Sequence, residues 1–194
     1  MESLLQALAP LFVAAFTWWD TPATWLEVVA FVMAIAMVWL NMRVDPWAWP
    51  LAIASSLLYW LLFWQYKLYG EGSLQVFFAI VGAWGWWQWL RGRQDDGQAL
   101  RVRHLDARGR TTALVAMALA WPALALFLDH VTDSDVPWWD AFPTALSVIG
   151  QVLLGRKYIE NWPTWVVVNV ASVALFAYKG LWLTVILYAV FVGL

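Results

Sequence analysis

The chain is expected to be an all-α polytopic membrane protein: two parallel three-helix repeats joined by a linker helix, in 3+1+3 order, with an extra N-terminal helix ahead of them. Three observations predict this. Of 194 residues, 63% are hydrophobic and 12% charged, which is more apolar surface than a water-soluble domain of this length can bury. Apolar runs of bilayer-spanning length alternate with short polar breaks. The two halves also match each other at a constant offset.

The runs predict helices at 4–19, 24–42, 47–68, 72–90, 111–129, 139–155, 162–179 and 181–194. Residues 1–20 hold an apolar run with neither a basic start nor a small-residue cleavage site, so they read as a retained extra helix. That helix and the last one are short for a hydrocarbon layer of about 30 Å. DTPAT (20–24), RVDP (43–46), YGEGS (69–73) and KG (179–180) supply the turn residues between spans. The first repeat occupies 24–90, the linker helix 111–129 and the second repeat 139–194. An offset of 113 pairs Arg43 with Arg156, Trp49 with Trp162, Pro50 with Pro163, Phe63 with Phe176 and Phe78 with Phe191. One crossing by the linker gives both triplets the same orientation, an arrangement in which transporters hold substrate near the midplane between two rocking units.

The one long polar segment, RGRQDDGQALRVRHLDARGR (91–110), is expected to be a basic cytoplasmic loop. Placing it inside puts Arg43, Arg91, Arg93, Arg101, Arg103, Arg108, Arg110, Arg156 and Lys157 inside, with Lys67 and Lys179 outside. Both termini then fall in the cytoplasm. With Asp95, Asp96 and Asp106 interspersed, the loop reads as a solvated linker that sets topology and is poorly suited to nucleic acid.

Several chemistries are disfavoured. The chain has no Cys, and its two histidines, His104 and His130, lie in polar connections, so no disulfide, metal site or cofactor is expected. Glu27, Lys67 and Asp140 lie within about a turn of a predicted interface, and no ionisable residue sits deeper. An ion-coupled pump marks its pathway with such groups. A membrane enzyme would also need an ionisable constellation at one depth, so the chain does not read as an enzyme. A non-transporting scaffold is the remaining rival.

The spans instead hold neutral polar groups and aromatics: Ser55, Ser56, Tyr59, Trp60, Gln75 and Gln88 in the first half, and Thr144, Ser147, Gln151, Asn169, Ser172 and Tyr188 in the second. Thr144, Ser147 and Gln151 share one helical stripe, as do Asn169 and Ser172. Serine and threonine in such helices commonly bond a carbonyl of the preceding turn. Unpaired amides are costlier, so Asn169, Gln75 and Gln151 should face protein or a wet cavity. Interfacial belts account for Trp18, Trp19, Trp25, Trp39, Trp47, Trp49, Trp138, Trp139, Trp162 and Trp165, whereas Trp60 lies mid-helix.

WGWWQW (84–89) ends a helix at the inner boundary and reads both as an anchor and as a wall of the pathway. Gln75, Gly82, Trp86 and Trp89 share one helical face and Trp84 and Gln88 another, while Gly85 admits a close neighbour. A flat or cationic ring suits aromatic walls with amides reading its edge. The expected site is lined by Trp60, Gln75, Trp86, Asn169, Trp182 and Tyr188, with Gln88 and Ser172 as further candidates.

FWQYKLYGEGSLQVFF (63–78) running into WGWWQW, and RKYIENWPTW (156–165) followed by VNVAS (168–172), together resemble the PnuC family of bacterial vitamin transporters. That family is itself similar to the SWEET proteins in layout. The resemblance covers most of 24–194. It implies uptake of nicotinamide riboside across the bacterial inner membrane by facilitated diffusion, trapping by an intracellular kinase, and a homotrimer in contact with membrane lipid. Relatives carrying thiamine or riboflavin are implied alternatives. The family pattern often has tyrosine where this chain has Trp84 and Trp87.

Overall fold

The computed structural model describes residues 9–18, 21–65, 69–93, 97–132, 134–178 and 182–193. Among them are seven α-helices: α1 (Trp25–Met42), α2 (Ala48–Gln65), α3 (Tyr69–Arg91), α4 (Ala107–Val131), α5 (Pro137–Gly155), α6 (Asn161–Tyr178) and α7 (Trp182–Gly193). These correspond to the last seven of the eight predicted spans. The extra N-terminal helix over 4–19 is not formed in the described part of that segment. A 3-10 turn at Ala9–Phe12 leads instead into an antiparallel hairpin, β1 (Ala14–Trp18) and β2 (Thr21–Thr24). Phe16, Thr17 and Trp18 favour extended backbone, and Pro10 has no N–H for an α-helical ladder. The Trp25 N–H donates to the Val13 carbonyl at 3.1 Å, joining the hairpin to the start of α1.

The chain divides into two compact units, 1–90 and 91–194. In the first, α1 packs on α2 through Leu26, Ala30 and Ala34, which recur every four residues and are buried. Small residues let the backbones approach, and the Ser55 hydroxyl on α2 donates to the Ala30 carbonyl at 3.2 Å. Helix α3 meets α2 at two glycines: Gly82 lies against Ile53, and Gly85 against the Trp49 indole.

In the second unit α5 lies between α4 and α6, and α7 packs on α6. Helix α4 begins four residues earlier than predicted because the Asp106 carboxylate caps it, accepting from the Gly109 N–H at 2.7 Å. It has 25 residues, or about 37 Å at 1.5 Å per residue, enough to cross a bilayer. Ala125 is its one buried residue, so nearly all of its apolar surface is left for lipid.

The α1–α2 and α5–α6 turns have the same backbone ladder at the same offset of 113. Asp45 N–H to Leu40 carbonyl (2.9 Å) matches Tyr158 to Leu153 (2.9 Å), and Val44 to Asn41 (3.0 Å) matches Lys157 to Leu154 (3.0 Å). Ala48 to Asp45 and Asn161 to Tyr158 are both 3.1 Å, and Trp49 to Pro46 and Trp162 to Ile159 are both 3.2 Å. Val44 and Lys157 adopt φ of 56° and 57°, the left-handed residue that closes a helix while its neighbour bonds back five residues.

Candidate binding site

The structure sorts the polar side chains of the helices into those with protein partners and those without. Thr144 and Ser147 donate to the carbonyls of Asp140 (2.9 Å) and Pro143 (2.7 Å), and Ser55 is held by Ala30. These hydroxyls are satisfied within the helices. Gln151 on α5, and Asn169 and Ser172 on α6, are buried at 9%, 7% and 4% exposure, yet no hydrogen bond holds their side chains among the described residues. Asn169, Ser172 and Phe176 follow one another at three and four residues, so they form one stripe. Phe176 extends that stripe to Tyr188 on α7, their ring centroids 5.2 Å apart, and Tyr188 also meets Phe191 at 6.1 Å. Asn169, Ser172 and Tyr188 are thus brought into one wall, with Phe176 as a member that the sequence presented only as a repeat match to Phe63. A primary amide can both donate and accept hydrogen bonds, so such a wall suits a polar guest.

In the first unit, WGWWQW turns its small and polar positions inward. Gly82, Gly85, Gln88 and Trp89 are buried, while Trp86 and Trp87 are 37% and 55% exposed. Trp89 meets Trp49 edge to face, with centroids 5.5 Å apart. Gln88 is 8% exposed and has no hydrogen bond among the described residues. The structure therefore gives Gln88 the enclosed position for which the sequence favoured Trp86. Trp49, assigned to an interfacial belt from sequence, is 1% exposed, and among the described residues its indole Nε1 has no hydrogen-bond partner, nor has the buried Asn41 Oδ1. Trp60 and Gln75 are half-buried on α2 and α3. Trp182 begins α7, and its side chain lies outside the described residues, so the expectation for it stays with the sequence. Among the described residues no group of His, Asp and Glu is placed to hold a metal ion.

The 91–110 segment is not a solvated linker throughout. Arg103 bridges the α5–α6 turn in both directions, its N–H to the Lys157 carbonyl (3.1 Å) and its carbonyl from the Ile159 N–H (3.0 Å). Its guanidinium lies 4.7 Å from the Tyr158 ring centroid. Lys157 Nζ donates to the Leu100 carbonyl at 3.3 Å. Glu160 accepts from the Leu105 N–H at 3.1 Å and lies near His104 (3.4 Å) and Arg110 (3.6 Å). Burial pushes the Glu160 carboxyl up, but the Leu105 amide, its own amide and His104 outweigh this and hold it below the usual carboxylate range. Burial lowers the Lys157 ammonium. Spacing alone treats these charges as solvated, because their partners lie some fifty residues away.

Long apolar helices with neutral polar groups turned inward, and charges gathered at their ends, define a polytopic helical membrane protein. A family model described as "Nicotinamide mononucleotide transporter" matches residues 24–194. The chain is 25% identical to the nicotinamide riboside transporter PnuC of Escherichia coli (strain K12), over 82% of this chain and 77% of that protein. It is 28% identical to the riboflavin/roseoflavin transporter RibM of Streptomyces davaonensis, over 83% and 76%. A solved crystal structure of the vitamin B3 transporter PnuC superimposes with a TM-score of 0.67 at 25% identity, covering 84% of this chain and 75% of that one. The chain belongs to the PnuC family: it is a membrane protein and a vitamin transporter, not an enzyme.

Proposed function

We propose that the chain is a uniporter that takes up nicotinamide riboside across the bacterial inner membrane, with phosphorylation inside the cell trapping the product. The observation that carries this is the wall of Asn169 and Ser172, buried polar groups whose side chains no hydrogen bond holds among the described residues, continued by Phe176 and Tyr188. Amide and hydroxyl groups can read a carboxamide or ribose, and aromatic faces suit a cationic ring. Gln88, Gln75, Trp60 and Trp86 of the first unit, and Trp182, are proposed as separate candidates for substrate contact. No basic side chain lies deep in the spans, so a phosphorylated product should bind poorly and the trap would hold. The relatives named as nicotinamide riboside transporters support this cargo.

The reading includes two parallel three-helix repeats, 24–90 and 139–194, joined by the linker helix, with both termini in the cytoplasm and a homotrimeric assembly. The shared ladder of the two turns supports the repeat. Liposomes carrying the protein should take up the riboside downhill, with no dependence on a proton gradient, and Asn169→Ala should abolish most of that uptake. Equal uptake by variant and parent would remove Asn169 from the site. RibM makes riboflavin the second cargo to test. Calorimetry with nicotinamide riboside, riboflavin and thiamine side by side decides among them, and saturable heat for the first alone is expected.

A further inference from the structure

We propose that residues 100–106, clasped by Glu160 and the Ile159 N–H onto the α5–α6 turn, form a positioning device that keeps the charged end of the 91–194 unit rigid during turnover. The inference rests on the transport reading above.

The clasp uses groups that only this turn provides. The α1–α2 turn has the same backbone ladder, so by shape alone either turn could receive the segment. At the position of Ile159 it carries Pro46, which has no N–H to give to the Arg103 carbonyl. At the position of Glu160 it carries Trp47, which has no carboxylate for the Leu105 N–H, and at that of Tyr158 it carries Asp45, whose side chain accepts from the Trp47 N–H at 2.9 Å instead. The duplicated turns thus differ at the three positions that dock the segment. Glu160 is only 20% exposed and joins three elements: the segment at Leu105 and His104, α4 at Arg110, and its own turn. It directly precedes α6, the helix that carries Asn169 and Ser172. Releasing the clasp frees the start of α4 and the start of α6 from each other without touching the wall.

Two variants test this by different chemistry. Glu160→Gln removes the charge that holds Arg110 and His104. Ile159→Pro removes one N–H, and Pro46 in the matching turn indicates that the backbone accepts proline there. In detergent, limited trypsin digestion should cut the parent slowly after Arg101 and Arg103 and both variants about five-fold faster, about the effect of one hydrogen bond on docking. Riboside affinity by calorimetry should stay within about two-fold of the parent, while the maximal uptake rate in liposomes falls about five-fold.

Unchanged digestion overturns the clasp. Faster digestion with unchanged uptake overturns its role in turnover, and lost affinity overturns a positioning role. If the parent itself binds no riboside, the cargo reading fails, while the digestion result still reports on the clasp.

Discussion

Gly85→Ala probes the contact that fixes the inner face of α3. A β-carbon at Gly85 would run into Cη2, Cζ3 and Cζ2 of the Trp49 indole, all well inside ordinary carbon contact. The neighbour cannot swing away, because Trp49 is 1% exposed and braced by Trp89 at 5.5 Å. With three ring atoms this close, the overpacking falls at the upper end of its usual range, about 2–3 kcal/mol, while exchanging glycine for alanine in a helix returns about 1 kcal/mol. The net expectation is a loss of about 1–2 kcal/mol, or roughly 2–8 °C in melting temperature for a chain of this size. Gly82→Ala is the control. Its β-carbon meets Ile53 Cγ1 at 3.0 Å and Cδ1 at 3.9 Å, so Ile53 need shift by only a few tenths of an ångström and the change should be much milder than Gly85→Ala. The assay is melting in detergent, followed by size-exclusion chromatography of heated samples. Trp49→Phe combined with Gly85→Ala should recover part of the loss, since the smaller ring leaves room. A Gly85→Ala protein as stable as its parent, or a double variant no better than the sum of the singles, would refute the packing assigned to α2 and α3.

Other consequences follow from single contacts. Asp106→Ala removes the cap of α4 and should cost about 1 kcal/mol, read as lower helicity or melting temperature, with Asp106→Asn nearly neutral. Trp89→Ala should cost about 3–5 kcal/mol, whereas Trp87→Ala, at a 55% exposed position, should change detergent melting by about 0.5 kcal/mol or less. Because Glu160 titrates below the usual carboxylate range in the folded protein, its contribution is fully present above that range and lost as pH falls through the lowered value. The melting difference between parent and Glu160→Gln should therefore be constant at neutral pH and shrink below about pH 4, and a constant difference down to pH 3 would count against the clasp.

The hydrophobic spans were legible from residue order because crossing a bilayer is a local demand: about twenty apolar residues in a row suffice, whatever they later touch. The likeness of the two turns was legible for a similar reason, since a turn that needs a left-handed residue after a helical run leaves the same spacing twice, at Val44 and Lys157. The stretch before α1 was not. A short apolar run with aromatic and β-branched residues serves a helix or a hairpin equally, and periodicity alone cannot choose.

The proposed wall divides along the same line. Sequence identified which residues are polar and neutral in the spans, and it placed Asn169 and Ser172 on one stripe. It could not say that Gln88 rather than Trp86 turns inward, because a helical wheel gives relative angles and not the direction of the neighbouring helix. That direction is set by Trp49 closing on Gly85. Nor could it distinguish Ser147, satisfied by the Pro143 carbonyl, from Asn169, which is buried with no hydrogen bond among the described residues. Composition and order determined that this chain lies in a membrane and uses one kind of turn twice at a fixed spacing. Which polar groups go unsatisfied, and which turn holds the basic loop, was decided by tertiary packing, because a hydrogen bond depends on where its distant partner is brought.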